Sequence, residues 1–254
     1  CSGGLRERAL GGRRRIGGSY APAQFVADSV DRKVFWQKHY RCGLCGADFR
    51  SLRIFDHAIR VKQRDLFLHA TYEFPDPQHY AIIACPDCYY SAYDKDFEAL
   101  PDKLNSQQIF QLQQALKKGK DTFHLNLSKE RALQEVIDLY SLAVLTYLIA
   151  EDSYKMAQLY MKLGWFYLDD QNRENAAIAF SKSYQQFFET YERGRIPGEA
   201  DGILFCLASI QILLNNVSEG FRWLERLNQE YKNSNSPYLT AGKALWASFR
   251  EKKT

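Results

Sequence analysis

Apolar and polar positions follow two different patterns along the chain. Before about residue 100, short aromatic and β-branched runs such as residues 34–40 and 79–84 alternate with turn sequences, which predicts short strands. Beyond that point, apolar residues recur every three or four positions, which predicts helices. The chain is therefore predicted to be an α+β protein. A small β module over residues 31–100 precedes a helix and linker over residues 101–127 and an all-α domain over residues 128–254.

Seven helices are predicted, and several of their ends carry local signals. Pro101 suits a first turn, Gly119 suits a stop, and Ser128 suits the N-cap of the second helix. Turn sequences rich in Asn, Asp, Gly and Pro separate the later helices, and such short connections predict antiparallel neighbours. The helices after the linker are predicted at residues 129–149, 153–168, 173–193, 198–214, 219–231 and 238–250.

Part of the helical region follows the spacing of a tetratricopeptide repeat. Gly164 and Ala176 stand where that repeat has small residues, because its paired helices cross closely there. Ala208 and Gly220 occupy the same two positions in a second, weaker copy. The domain is therefore predicted to be tetratricopeptide-like, and a plain helical bundle is the alternative. The better copy comprises Tyr160, Leu163, Gly164, Tyr167, Ala176, Phe180 and Ser183.

Four of the six cysteines form two CxxC pairs, Cys42 with Cys45 and Cys85 with Cys88. Each pair directly follows a predicted strand, as in a zinc ribbon, where two turns each supply two thiolates to one tetrahedral ion. Four thiolates leave no coordination position open for a water, so the predicted Zn²⁺ is structural. Rubredoxin-type iron uses the same four ligands and is the alternative. Two disulfides become relevant only if the chain is exported.

The two cysteine pairs are far apart in the sequence. About 40 residues separate them, whereas a compact four-cysteine site has roughly 15–20. An insertion is therefore predicted, in which residues 58–72 form either a hairpin or a helix and a strand. His39 lies three residues before Cys42 and is a competing ligand, although a set of four cysteines needs no further ligand.

The net charge of +4 is unevenly distributed. Five arginines against one glutamate in residues 1–20 account for it, and residues 21–254 are electrically balanced, so residues 1–30 are predicted to be a flexible basic tail. A second basic cluster lies around the insertion. It is interpreted as a solvated or salt-bridged face, with nucleic-acid contact as the alternative. This cluster comprises Arg50, Arg53, Arg60, Lys62 and Arg64, against Asp56 and Asp65.

Composition and cysteine usage indicate the compartment. Apolar residues make up 46% of the chain, but no run of about 18 of them occurs, so no transmembrane segment is predicted. Reduced, metal-binding cysteines indicate a cytoplasmic protein. The chain begins with Cys1 followed by small residues, as a mature bacterial lipoprotein does, and a lipoprotein is the alternative.

Motifs around the cysteines resemble those of one bacterial family. The two pairs are combined with Arg64-Asp65, with Pro77 followed by Tyr80, and later with Leu163-Gly164-Trp165. This combination resembles the family catalogued as domain of unknown function 2225. The resemblance implies a zinc-ribbon-like module followed by tetratricopeptide-like helices, and it implies no activity. Where the family usually has Gly after the second cysteine pair, this chain has Tyr89.

The chain contains no pattern typical of a catalytic site, so it is predicted not to be an enzyme. Cys206 lies on an apolar helix face and is interpreted as a core thiol, and His124 has no evident partner in the linker. An enzyme would require a pocket between the module and the helices. The first candidates there are Arg60, Arg64, Asp65 and His69.

A helical-repeat domain beside a closed metal site favours a scaffold or adaptor that binds another protein. The helix predicted at residues 173–193 is unusually aromatic, which is explained either by packing against its neighbours or by a partner-binding surface. Nucleic-acid binding through the module and the basic cluster is the alternative function. The aromatic helix contributes Tyr184, Phe187, Phe188 and Tyr191 together with Gln185.

Overall fold

The computed structural model describes residues 31–120, 123, 125, 127, 130–194 and 200–251. Within these residues, three two-stranded antiparallel sheets are followed by seven α-helices. The predicted order of a β module and then helices is therefore confirmed. The expectations placed on the basic tail, Cys1, His124, Ser128 and Gly198 fall outside the described residues.

Each sheet of the N-terminal module is a single hairpin. The hairpin formed by β3 and β4 occupies the predicted insertion, so the hairpin alternative is observed rather than a helix and a strand. The strands are β1 (Phe35–Arg41) paired with β2 (Asp48–Ile54), β3 (Val61–Arg64) paired with β4 (Ala70–Tyr72), and β5 (Ile82–Ala84) paired with β6 (Ser91–Tyr93).

The later helices lie close to their predicted positions, but the first two begin later than predicted. Pro101 opens a short 3₁₀ turn, and the first helix begins at Ser106, because Asn105 and Gln108 form a reciprocal capping box there. The second begins at Leu133, where the Glu135 carboxylate accepts the Ala132 N–H at 2.9 Å. The helices are α1 (Ser106–Gly119), α2 (Leu133–Ile149), α3 (Ser153–Asp169), α4 (Arg173–Glu192), α5 (Ala200–Leu213), α6 (Val217–Tyr231) and α7 (Pro237–Glu251).

Consecutive helices from α1 to α7 pack against one another, and glycines allow two close approaches. A Cβ atom on Gly164 of α3 would lie 2.4 Å from the Phe180 ring of α4. A Cβ atom on Gly220 of α6 would lie 2.5 Å from Ile212 and 2.9 Å from the Ala208 carbonyl oxygen of α5. Because real contacts are never so short, any larger side chain would force these helices apart.

The described residues form two large apolar cores and a small third cluster of Phe35, Leu52 and Tyr80. The first joins the module to the helices, since Tyr40, Ile83 and Phe97 belong to the same buried cluster as Leu139 and Tyr140 of α2. The second joins α3 to α7 and contains Leu204, Leu207 and Leu224, among others. No helix within the described ranges has the length and apolarity needed to cross a membrane.

Candidate metal centre and adjoining cavity

The two cysteine pairs occupy equivalent turns at the ends of two hairpins. In the turn between β1 and β2, the Cys42 N–H donates to the Ala47 carbonyl at 2.8 Å. In the turn between β5 and β6, the Cys85 N–H donates to the Tyr90 carbonyl at 2.9 Å. Each turn therefore presents two thiols from a backbone that its own hydrogen bonds hold in place.

The residue after each CxxC pair adopts the left-handed backbone conformation. Gly46 has φ +76° and Tyr89 has φ +64°, and their N–H groups donate to Cys42 and Cys85 respectively. This conformation costs little for glycine and more for a residue with a Cβ atom. Tyr89, which departs from the family pattern, therefore keeps the turn that glycine would form.

The four sulfur atoms lie close together. The Sγ atoms of Cys42 and Cys88 are 3.6 Å apart, as are those of Cys45 and Cys85, and all four lie within 4.8 Å of one another. A tetrahedron with metal–sulfur bonds of about 2.3 Å has edges of about 3.8 Å, whereas a disulfide is about 2.05 Å long. The cysteines form no disulfide, and their spacing fits one tetrahedral metal ion.

Hydrogen bonds among three of the thiols shift their pKa values in opposite directions. Hydrogen bonds from Cys85 and Cys88 lower the pKa of Cys42 to about 4, and the same bonds raise the pKa of Cys85 and of Cys88. Without a metal, the cluster thus stabilises one thiolate at the expense of its neighbours, and a cation would displace the remaining protons. His39 is absent from the cluster, because its ring faces Asp48 at 3.4 Å with a largely exposed side chain.

Two carboxylates that follow the second cysteine pair connect elements that are distant in the sequence. Asp94 accepts from Tyr40 at 2.7 Å and pairs with Lys38 at 3.0 Å and Arg53 at 3.2 Å. Burial would raise the pKa of Asp94, but these partners outweigh it and hold the pKa below its usual value. The second carboxylate, Asp96, connects the module to the helices.

Asp96 accepts from Tyr147 of α2 at 2.6 Å and pairs with Lys155 of α3 at 3.1 Å. As with Asp94, these partners overcome the effect of burial and lower the pKa of the carboxyl. Sequence reasoning missed the role of both residues, because nothing in the local pattern identifies partners more than forty positions away.

Arg131 is a further residue that sequence reasoning missed. Its guanidinium is buried and donates to the carbonyls of His79 at 2.6 Å and Ile82 at 3.0 Å, and to the Ser51 hydroxyl at 3.2 Å. Burial lowers the pKa of Arg131 to about 10. Arg131 therefore attaches the segment before α2 to two hairpins of the module.

The predicted basic cluster is divided in the structure. Arg53 is half-buried and paired with Asp94, while the other four members are exposed. Asp65, a candidate for the enzyme hypothesis, accepts the N–H groups of Phe67 at 2.9 Å and His69 at 2.8 Å and so caps the β3–β4 turn. The exposed members of the basic cluster are Arg50, Arg60, Lys62 and Arg64.

A cavity of about 620 Å³ lies between the module and the helices. His69 is the only one of the four proposed enzyme candidates in its wall, where its ring stacks on Trp165 at 4.2 Å. Cys206 also lines the cavity and is half-buried, and burial raises its thiol pKa to about 12. A protonated thiol is a weak nucleophile, but the predicted core position is not observed, because Cys206 lies half-buried at the cavity wall.

The aromatic residues of α4 separate into two groups. Phe187 is buried and contacts Tyr154, with ring centroids 6.1 Å apart. The other group packs against α6, and 39% of Phe188 remains exposed at its edge. We call this second group the aromatic patch; it consists of Tyr184, Phe188, Tyr191 and Trp223, with Arg226 over the Tyr191 ring at 4.7 Å.

The fold and the site together define a protein in which a four-cysteine cluster, compatible with a metal ion, lies in a β module packed on helices. Residues 35–249 match the family described as an uncharacterized protein conserved in bacteria, DUF2225, and the chain belongs to that family. It is 26% identical over 155 residues to a protein of Borreliella burgdorferi that is itself described as uncharacterized. This match covers 55% of the chain and 55% of the relative. No solved structure matches the chain.

Proposed function

We propose that the protein is a metal-stabilised scaffold or adaptor that binds another protein through its helices. The observation that carries the proposal is the aromatic patch, which combines Tyr, Trp and Arg on two neighbouring helices with an exposed edge at Phe188. These residue types are enriched where binding energy concentrates in protein interfaces. The four-thiolate cluster has no open position for a substrate, which supports a structural role for the metal.

The proposed ion is structural Zn²⁺, held in a zinc-ribbon-like module by Cys42, Cys45, Cys85 and Cys88. Two equivalent turns with sulfur spacings of 3.6 Å support this assignment. The helices that follow are proposed to be tetratricopeptide-like, supported by the close contacts of Gly164 and Gly220. Elemental analysis of purified protein should give one zinc per chain. Stoichiometric iron with thiolate absorption would instead establish the rubredoxin-type alternative.

Site-specific crosslinking in a bacterium that encodes the chain tests the adaptor proposal. A photoreactive amino acid at position 188 should capture one protein, while the same group at position 110 should not, because Phe110 is 60% exposed on the distant α1. The captured protein, purified, should bind Phe188→Asp at least tenfold more weakly than wild type and should bind Phe110→Asp normally. Equal capture at both positions, or an unaffected Phe188→Asp, would refute the proposal.

Nucleic-acid binding is the second candidate, because four basic residues around the β3–β4 hairpin are exposed. Anisotropy of labelled single- and double-stranded DNA and RNA at low salt tests it, since phosphate contacts weaken steeply as salt rises. Salt-dependent binding lost in Arg60→Glu/Arg64→Glu would favour this function. Absence of binding at low salt would eliminate it.

A further inference from the structure

One face of α3 forms a long wall of the cavity between the module and the helices. Tyr154, Gln158, Met161, Lys162 and Trp165 line the cavity, and their spacing of three, four and seven positions places them on one side of a helix. Further lining residues come from α5, α7 and the β3–β4 turn. This turn contributes Phe67, Leu68 and His69.

The walls are mainly aromatic and apolar. The Phe67 and Trp165 ring centroids lie 6.3 Å apart, and those of Phe205 and Tyr238 lie 6.0 Å apart. A volume of about 620 Å³ falls within the roughly 300–1,000 Å³ typical of pockets for small organic molecules. The cavity therefore has the size and lining of a small-molecule site.

The charged groups around the cavity differ in whether they already have partners. Arg53 pairs with Asp94, and Lys155 pairs with Asp96. Lys162, by contrast, makes no hydrogen bond or ion pair with any residue that the structure describes. Asp76 and the Cys206 thiol act on its charge through space without an ion pair or hydrogen bond, and burial keeps that thiol protonated.

An ammonium group in this position is energetically costly. Burial lowers the pKa of Lys162, which means that its charged form is poorly solvated there. A ligand that brings one negative charge would relieve this cost, because it would pair an ammonium that is partly shielded from water. A phosphate dianion needs several donors, whereas of the described lining cations without an ion pair only Lys162 is partly buried, and Lys95 is exposed to solvent.

We propose that this cavity binds a small organic carboxylate, whose aromatic or branched apolar body packs on Trp165, Phe187 and Phe205 and whose carboxylate pairs with Lys162. The site is distinct from the aromatic patch and from the metal centre. It would give the protein a ligand-sensing or ligand-carrying property independent of any protein partner.

Two fluorescent probes of similar shape separate charge recognition from apolar binding. The first is 8-anilinonaphthalene-1-sulfonate, an aromatic monoanion, and the second is N-phenyl-1-naphthylamine, its neutral counterpart. Titrations use the full metal-loaded chain. We expect saturable 1:1 binding of the anion, and about tenfold or greater loss of its affinity in Lys162→Met, as for removal of a charged hydrogen-bond partner. The neutral probe should keep its affinity within about twofold.

Lys117→Met on the exposed face of α1 is the matched control, because it removes the same charge outside the cavity. It should leave both titrations unchanged. Unchanged anion binding in Lys162→Met, equal losses for both probes, or an equal effect of Lys117→Met would overturn the proposal.

Competition on the wild-type chain keeps the test independent of variant folding. 1-Naphthylacetate should displace the anionic probe, whereas 1-naphthylacetamide, which lacks the negative charge, should displace it at least tenfold less effectively. Equal displacement by acid and amide would show that the cavity recognises only the apolar body, and would overturn the assignment of a carboxylate.

Discussion

The cysteine module and the helices α3–α7 are stabilised in different ways. The module has strands of three to seven residues in separate two-stranded sheets, and isolated hairpins of this kind are marginally stable. The helices share a continuous core in which Leu204, Leu207 and Ala208 are fully buried. We therefore expect the module to depend on its cysteine cluster and long-range polar contacts as well as on the core that it shares with α2, whereas the helices depend mainly on apolar packing.

The difference explains where the specific polar contacts lie. Asp94, Asp96 and Arg131 each bridge elements of the module or attach it to the helices. These directed contacts act in addition to the apolar core that the module shares with α2, and each one fixes the relative position of short elements. The next four experiments separate the two modes of stabilisation.

Loss of the metal site should have the largest effect, and it should be confined to the module. Metal binding by four thiolates contributes roughly 10 kcal/mol or more to folding of such modules. Chelation or Cys85→Ser should therefore open residues 35–93 to limited proteolysis and leave residues 153–251 protected, as read by mass spectrometry. Cys206→Ser, whose sulfur lies outside the cluster, should retain the metal and the wild-type pattern. Uniform digestion of both regions would show that the module and the helices are not stabilised in different ways.

A larger side chain at Gly164 should destabilise the helices while sparing the metal site. Gly164→Leu drives a side chain into the Phe180 ring and should cost about 3 kcal/mol through overpacking. Chemical denaturation followed by helical circular dichroism measures this, and elemental analysis should still find the metal. Ala177→Leu, at an exposed position of α4, is the control and should be nearly neutral. Loss of metal in Gly164→Leu would show that the two regions unfold as one.

Removing the charge of Asp94 should weaken the module in a pH-dependent manner. Since the folded-state pKa lies below the usual value, the ionised carboxylate stabilises the fold above the unfolded pKa of about 4, and this stability is lost as pH falls through the folded pKa. Asp94→Asn should cost about 2 kcal/mol at neutral pH and progressively less in acid.

Denaturation midpoints between pH 3 and pH 7 measure the effect. Asp102→Asn, at an exposed position, should follow the wild-type curve. A constant difference between Asp94→Asn and wild type across this range would show that the carboxylate acts through shape and not through charge.

The smallest effect should come from the turn after the second cysteine pair. Tyr89→Gly relieves a left-handed conformation and should stabilise the metal-bound turn by about 1 kcal/mol. The loss of the contact between the Tyr89 ring and the Lys120 ammonium, 5.8 Å away, should reduce this gain. Gly46→Ala should cost about the same amount in the equivalent turn. Chelator competition measures both as shifts in metal affinity of opposite sign. Shifts of the same sign would mean that the two turns are not equivalent.

Local sequence patterns predicted the positions of strands and helices better than the side-chain contacts between them. The helix ends after α2 follow from turn residues and caps, and the positions of Gly164 and Gly220 followed from repeat spacing. The first two helices were predicted to begin too early, because Pro101 and Ser128 gave plausible starts. The caps at Asn105 and Glu135 depend on side-chain geometry that the sequence pattern does not distinguish.

The sequence by itself determined the order of module and helices and the four cysteines that cluster, because periodicity and CxxC spacing are local properties. Only the tertiary structure decided which charges are neutralised and which remain free. Asp94 and Asp96 find their partners across the module and helices, and Lys162 finds none among the described residues because α3 turns it toward the cavity. Pairing of this kind depends on distances between elements, which a linear pattern does not encode.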